Sequence, residues 1–438
     1  LTGNHYSRVW LACIAIVACF VGGKPGAAQS EAFTQAQSAA VARNPTGVTI
    51  ALQTPNNRTE FHWGEEIPLT AEFRSTDPQW FYAPTLRFGR PPGGLVFDSE
   101  IGISHDMPVD FFFYSGPPAP RAIRLKDAPQ KTNFFVNHEV RLVNPGVYRF
   151  YLSSYLVDAK SAAGEARVVG NTPSYLAVSN VITIRVLPRD LVWEQAQFRK
   201  AVKEIELSDS AYKDGDNKHA PGSALDSLIC LGTKEAARVL LQRMASGDEP
   251  GWSDNDGFAC EYGLMRFVDR NWILQEMRRD MTAPEYAVSI DFLDTMGEIC
   301  YMNSHSIRTV HDNWMALPEL WNTVASAAPQ KQSGRTRAIT VYSFAEFYLR
   351  AKANGYTNPS IEAYMPTLRK LLISSFSDLP CQPQEWMLLD RWKWIKGADL
   401  LPVLKREQDE NPFLFAERAY PHLMTSRIAQ LEAPAVTP

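Results

Sequence analysis

Val186-Leu187-Pro188-Arg189-Asp190 separates two kinds of sequence in this chain. Upstream, Ser179-Asn180-Val181-Ile182-Thr183-Ile184-Arg185-Val186 reads as a long strand with one face buried. Downstream, Leu191, Phe198, Val202 and Ile205 recur along one helical face. Pro188 stops the strand because it has no N–H to give a ladder, and Asp190 is of a helix-capping type only two positions later. A change of period within these few residues predicts two domains, β first and then α. A junction with so little slack predicts that the halves pack together rather than swing.

Upstream of the boundary, Val48-Thr49-Ile50-Ala51-Leu52, Ile67 to Phe73 and Gly146 to Tyr155 read as further strands, with Pro55-Asn56-Asn57-Arg58 as a turn. Short strands joined by turns, with no helix between them, predict an antiparallel β-sandwich over residues 46–188. The stretch Asn144-Pro145-Gly146-Val147-Tyr148 resembles the Pro-Gly-x-Tyr entry to late strands of immunoglobulin-like extracellular domains. There Gly146 suits a turn of positive φ, and Tyr148 buries its ring while its hydroxyl finds a backbone acceptor. Trp80-Phe81-Tyr82 and Phe111-Phe112-Phe113-Tyr114 either fill the core or form a sugar-binding face, and core filling is the expectation.

Downstream, Ser223 to Met244 reads as two helices joined tightly: Gly232 ends the first, Thr233 caps the second, and Leu228 and Leu240 lie on apolar stripes. With Leu231-Gly232 at the turn, this unit resembles a HEAT-like repeat. Gly232, Gly263 and Gly297 recur roughly thirty residues apart, within the range of helical repeats. Further helices are expected around Asp269, after a capping box at Thr282-Ala283-Pro284-Glu285, from Arg335 to Ala353, after Asn358-Pro359, from Gln384 to Ile395, from Leu400 to Arg406, and after Asn411-Pro412. Residues 189–432 are thus expected to form a HEAT-like α-helical domain, an α-solenoid or irregular bundle, with a tail at 433–438. The combination resembles exported bacterial envelope proteins, a likeness that implies no activity.

The 438 residues carry 48 acidic against 44 basic side chains, a net charge of −4 with no basic run, which argues against a nucleic-acid surface of the usual kind. Residues 1–28 read as an export signal: Arg8, an apolar stretch from Val9 to Gly22, and cleavage after Ala28. Residues 29–45 are expected as a flexible lead. The rival is a lipid anchor, because Ile16-Val17-Ala18-Cys19 resembles a bacterial lipobox. The protein is therefore expected in the periplasm or outside the cell, or else lipid-anchored. In the helical half, Cys230 and Cys260 are the favoured disulfide, set against four small buried thiols that include Cys300 and Cys381.

No nucleophile elbow, zinc-protease motif, phosphate loop or dinucleotide fingerprint occurs, and no cofactor is expected. Cys300, His305, His311 and Asp312 carry the ligand types of zinc, weighed against ordinary capping and hydrogen bonding in a loop. Asp254-Asn255-Asp256-Gly257 fails as a calcium loop, because aligning its glycine puts Trp252 and Gly263 where acidic ligands belong. His62 with Glu65 and Glu66, His105 with Asp106, and His138 with Glu139 are weak acid–base candidates, since neighbours on a strand face opposite sides. The leading expectation is a non-catalytic binding or scaffolding role in the cell envelope, with a protein or envelope polymer as partner. The alternative is a hydrolase of glycans or peptides. Expressed with its own N-terminus in a bacterial host, the mature chain is expected to begin at Gln29; intact mass showing an acylated Cys19 start would replace soluble export by a lipid anchor.

Overall fold

The computed structural model describes residues 25–82, 93–99, 102–104, 123–159, 175–213, 222–245, 254–304, 318–332, 334–412 and 422–433. The chain divides into two compact units, Leu1–Asp190 and Leu191–Pro438. Strands dominate the first and helices make up the second. Among the described residues no helix is long and apolar enough to cross a membrane.

The first unit contains β1 (Val48–Gln53), β2 (Glu60–Phe61), β3 (Pro68–Ser75), β4 (Trp80–Tyr82), β5 (Gly93–Phe97), β6 (Ile103–Ser104), β7 (Ile123–Arg124), β8 (Gln130–Phe135), β9 (Arg141–Leu142), β10 (Gly146–Ala159), β11 (Tyr175–Val178) and β12 (Ile182–Val186). One sheet runs β1-β3-β8; a larger one runs β2-β12-β10-β4-β7, with β5 and β11 also paired to β10; β6 and β9 form a third. Pairing is antiparallel except between β2 and β12, where Arg185 and Val186 run parallel to Glu60 and Phe61. The period of two does its expected work in β1, where Val48, Ile50 and Leu52 are buried and the residues between them exposed. These side chains share one apolar cluster with Phe73 of β3 and with Phe150 and Leu152 of β10, so both large sheets contribute to it. Trp80 and Tyr82 lie in the same cluster, as core-filling aromatics. Phe111 to Tyr114 fall outside the described residues.

Residues 29–45 are not a flexible lead, because most of them belong to a helix, α1 (Pro25–Val41). The helix is tied to the larger sheet. Phe33 packs with Tyr151 and Val178, Gln37 Nε2 donates to the Ser179 carbonyl at 2.7 Å, and the Arg149 guanidinium bonds the hydroxyls of Ser30 and Thr34. Tyr151 points away from the main core, and Phe33 covers it. A short helix, α2 (Val136–Glu139), follows β8.

Tyr148 behaves as its strand entry suggests. Its ring is buried and its hydroxyl lies 2.5 Å from the Asn144 carbonyl oxygen and 3.2 Å from that of Gly102.

The second unit contains α3 (Leu191–Lys213), α4 (Gly222–Leu231), α5 (Lys234–Ala245), α6 (Asp254–Met265), α7 (Arg270–Thr282), α8 (Ile290–Ser304), α9 (Pro318–Ala327), α10 (Gly334–Ala353), α11 (Pro359–Ser374), α12 (Cys381–Leu389), α13 (Trp392–Ile395), α14 (Leu401–Glu410) and α15 (Leu423–Glu432). Gly232 ends α4 in the left-handed conformation, with φ +59. Thr233 then caps α5, its Oγ1 accepting from the Ala236 N–H at 3.1 Å. Asp269 caps α7 through the Trp272 N–H, and Asn358 caps α11 through Ser360 and Ile361. Alternate helices pack into columns: α6 lies on α4, α8 on α6 and α10 on α8, while α9 lies on α7 and α11 on α9. Gly263 permits the close approach of α6, since a β-carbon there would stand 2.6 Å from Leu240 and 2.7 Å from Ile229.

α3 carries the polar residues after Ser208 and runs on to Lys213. Two local expectations are corrected. Thr282-Ala283-Pro284-Glu285 opens no helix: Thr282 ends α7 with its hydroxyl bonded back to the Arg279 carbonyl. The α8 cap is instead Ser289, which accepts from the Phe292 N–H. Lys331, a buried side chain, ties down the segment between the two helices, its Nζ donating to the carbonyls of Met281 and Ala283 at 2.8 and 2.7 Å. Gln384 to Ile395 is not one helix, so Trp386 on α12 and Trp394 on α13 do not share a helical face. Asn411 closes α14, its N–H donating to the Glu407 carbonyl; the residues after Pro412 that the expected helix would occupy lie outside the described residues.

Tyr148→Phe removes the hydroxyl that meets the Asn144 carbonyl and is expected to lower stability by about 1 kcal/mol. In urea the midpoint should fall with the slope unchanged.

Candidate functional site

Three helices of one column bring acidic side chains together. α8 carries Asp291, Asp294 and Glu298 at the spacing of one helical face, α6 carries Glu261, which feels their charge, and α10 carries Glu346 and Arg350. The two buried glutamates could hardly be treated more differently.

Glu346 is satisfied. Its side chain is 8% exposed, yet Arg391 donates to it through Nε and Nη2, both at 2.7 Å, and Arg350 Nε donates at 2.9 Å. Burial alone would raise its pKa, but these hydrogen bonds and charges outweigh burial and hold the carboxyl below its ordinary range.

Glu261 is 7% exposed and has no hydrogen bond or ion pair among the described residues. Burial, reinforced by the charges of Asp294, Asp291 and Glu298, pushes its pKa well above the carboxylate range. Asp294 is pushed up to about 7, chiefly by burial, with Asp291, Glu298 and Glu346 adding to the rise and Arg350 opposing it. Arg350 reaches Asp294 only at 3.8 Å, and 39% of the Asp294 side chain remains accessible. Two fully buried hydroxyls on the same helices, Thr295 Oγ1 on α8 and Ser343 Oγ on α10, have no hydrogen-bond partner among the described residues.

The residues singled out from sequence alone do not assemble into a second site. Of the zinc candidates, Cys300 lies on α8 with its thiol pKa raised by burial, while His305, His311 and Asp312 lie outside the described residues. Among the described residues no group of three or more His, Cys, Asp or Glu is placed to hold a metal ion. Asp254 to Gly257 open α6. Glu65 is committed to Arg58, which grips both its oxygens at 2.5 and 2.8 Å. His105, Asp106 and the side chain of His138 lie outside the described residues, as do Cys13, Cys19 and the export stretch up to residue 24. Cys230, Cys260, Cys300 and Cys381 stand as thiols in this structure, and Cys260 is fully buried.

Sequence reasoning passed over the carboxylate face. Its one local signal was the spacing of Asp291, Asp294 and Glu298, which a solvated helix face shows equally well.

Asp294, with its folded pKa raised to about 7, and Glu261, raised in the same direction, each hold a proton in the folded chain that the unfolded chain gives up near pH 4, so stability falls as pH rises through that range. Carboxyls with depressed pKa, such as Glu346, act below that window. Thermal melts are therefore expected to show greater stability at about pH 5 than at about pH 8, on the order of 1 kcal/mol after allowance for solvent at Asp294. Glu261→Gln is expected to flatten that slope; an unchanged slope would remove Glu261 from the account.

No protein-family model matches this chain, and no curated protein matches its sequence.

Proposed function

We propose that this is an exported binding protein of the cell envelope, an immunoglobulin-like sandwich followed by a HEAT-like helical array that carries the recognition site. The two sheets that share one core, and the Tyr148 hydroxyl turned back on Asn144, support the immunoglobulin-like part. The alternating columns of helices support the repeat reading, since stacked helical pairs build such layers. Partners of the proposed kind are proteins or envelope polymers.

The observation that carries a binding role is Glu261, a buried carboxyl without a donor, beside an Asp294 that solvent reaches. Burying a charge without a counterion is costly, and a ligand that supplies one removes the cost.

One observation favours a hydrolase as the second reading. A glutamic acid whose pKa burial raises well above the ordinary carboxylate range is what a general acid requires. Against it, acid–base pairs work when their environments push the two pKa values apart, and here both carboxyls are pushed the same way.

Chromogenic glycosides and a mixed peptide pool distinguish the two. The binding reading expects no turnover above background from the mature protein. Turnover that Glu261→Gln abolishes would replace it with the hydrolase.

A further inference from the structure

We propose that the last helices carry a surface that rests on an anionic lipid bilayer, built from Trp386, Trp392 and Trp394 with Lys393, Lys396 and Arg427. It goes beyond the binding reading above and uses other residues, so each can fail without the other.

The segment Arg391-Trp392-Lys393-Trp394-Ile395-Lys396 alternates cations with large apolar side chains, and the fold sorts them. Ile395 is fully buried and pins α13. Lys393, two positions earlier and so on the opposite side of the turn, is exposed, as is Lys396. Arg391 is spent on Glu346 at 2.7 Å, so it anchors the segment to α10 rather than adding to its outward charge. Trp392 and Trp394 are half-buried, and Trp386 on α12, which packs on α13, is 38% exposed. α15 packs on α12 and brings Arg427. Its Nε donates to the Leu388 carbonyl at 2.8 Å, and its guanidinium stands 4.7 Å from the centre of the Trp392 ring. The end of α12, the turn of α13 and the start of α15 thus meet around Arg427.

Charge names the sign of the partner. The ammonium groups of Lys393 and Lys396 make no hydrogen bond or ion pair among the described residues. Other cations of these helices are matched, Arg369 to Asp399 at 2.7 Å and Lys405 to Glu432 at 2.5 Å. Asp390 is the one acid between Trp386 and Lys396, against the two lysines and Arg427. The patch lacks counter-charge, and anionic headgroups supply it. The aromatic type names the kind of partner. Indole joins a broad apolar ring to one N–H donor, which suits the boundary between lipid tails and headgroups. Lysine stems lie along apolar surface while their charges reach outward. A soluble polyanion would use the cations and leave the indoles wet; a bilayer uses both. Among the described residues no helix is long and apolar enough to span a membrane, so the contact is one of lying on the surface.

Co-sedimentation with vesicles tests the inference, using the chain that begins at Gln29 so that no acyl group on Cys19 contributes. Vesicles of equimolar phosphatidylcholine and phosphatidylglycerol are expected to pellet the protein, with a blue shift of tryptophan emission; phosphatidylcholine alone is not. Binding should weaken about tenfold or more at about 1 M salt, where exposed charges are screened. Lys393→Gln and Lys396→Gln are each expected to weaken it about fivefold, and Trp386→Ala about tenfold, with a smaller blue shift. Trp386→Phe should restore most of the loss, while Lys203→Gln, an exposed lysine on α3, leaves binding unchanged. Retained cooperative melting of each variant keeps the result about the surface. The inference is overturned if anionic vesicles do not bind, if neutral vesicles bind equally, or if binding survives Lys393→Gln, Lys396→Gln and Trp386→Ala together. Binding of polyphosphate without binding of vesicles would replace the bilayer by a soluble polyanion. Self-association lost in the same variants, again without vesicle binding, would replace it by a second copy of the chain.

Discussion

A carboxylate taken out of water must be matched by donors, and Glu346 is where the helical unit meets that demand. Arg391 grips both oxygens and Arg350 adds a third bond. Breaking such a buried pair from one side typically costs about 3–5 kcal/mol, because the other charge is left stranded. Two features depend on this knot. The chain breaks after α12, with Arg391 placed just before α13 and its guanidinium reaching back to α10. Arg350 is also held toward Glu346, which leaves Asp294 with a cation at 3.8 Å and Glu261 with none. The state of the carboxylate face is thus set by a residue one turn away on the neighbouring helix.

In the sheet unit two polar positions are completed by neutral side chains. Asn180 accepts from the Leu52 N–H at 2.7 Å and donates to the Leu52 carbonyl at 3.0 Å, so one amide stands in for a strand partner. Asn44 does the same for Val178, at 2.7 and 2.8 Å. Neutral amides and the Tyr148 hydroxyl complete these backbone positions without bringing charge into the core. In the helical unit several buried groups are ionic, Glu346 and Lys331 among them, and matching these is harder, because each charge needs suitable partners in a fixed place.

Legibility from sequence followed the range of the interaction. Gly232, Thr233, Asp269 and Asn358 were readable as helix ends because caps and left-handed turns act within a few residues. Thr282 to Glu285 carried an equally good local signal and misled, because the segment is held from across the fold, by Lys331 on the Met281 and Ala283 carbonyls and by the Gln332 N–H on that of Pro284. α1 went unread for the same kind of reason. Its sequence is polar and rich in alanine, and what holds it is Phe33 on Tyr151 and Val178, residues far along the chain.

The change of period at Pro188, the order of β before α, the alternation that buries Val48, Ile50 and Leu52, and the turn back of Tyr148 all belong to the sequence itself. Each is decided by backbone geometry and neighbours within one element. Which carboxyl is matched and which is left protonated belongs to the tertiary structure alone. Glu261, Asp294 and Glu346 are chemically alike along the chain; only the packing of α6, α8 and α10 decides that Arg391 and Arg350 converge on one of them and that burial acts uncompensated on another. Coulomb energy and desolvation depend on distances through space, which sequence separation does not encode.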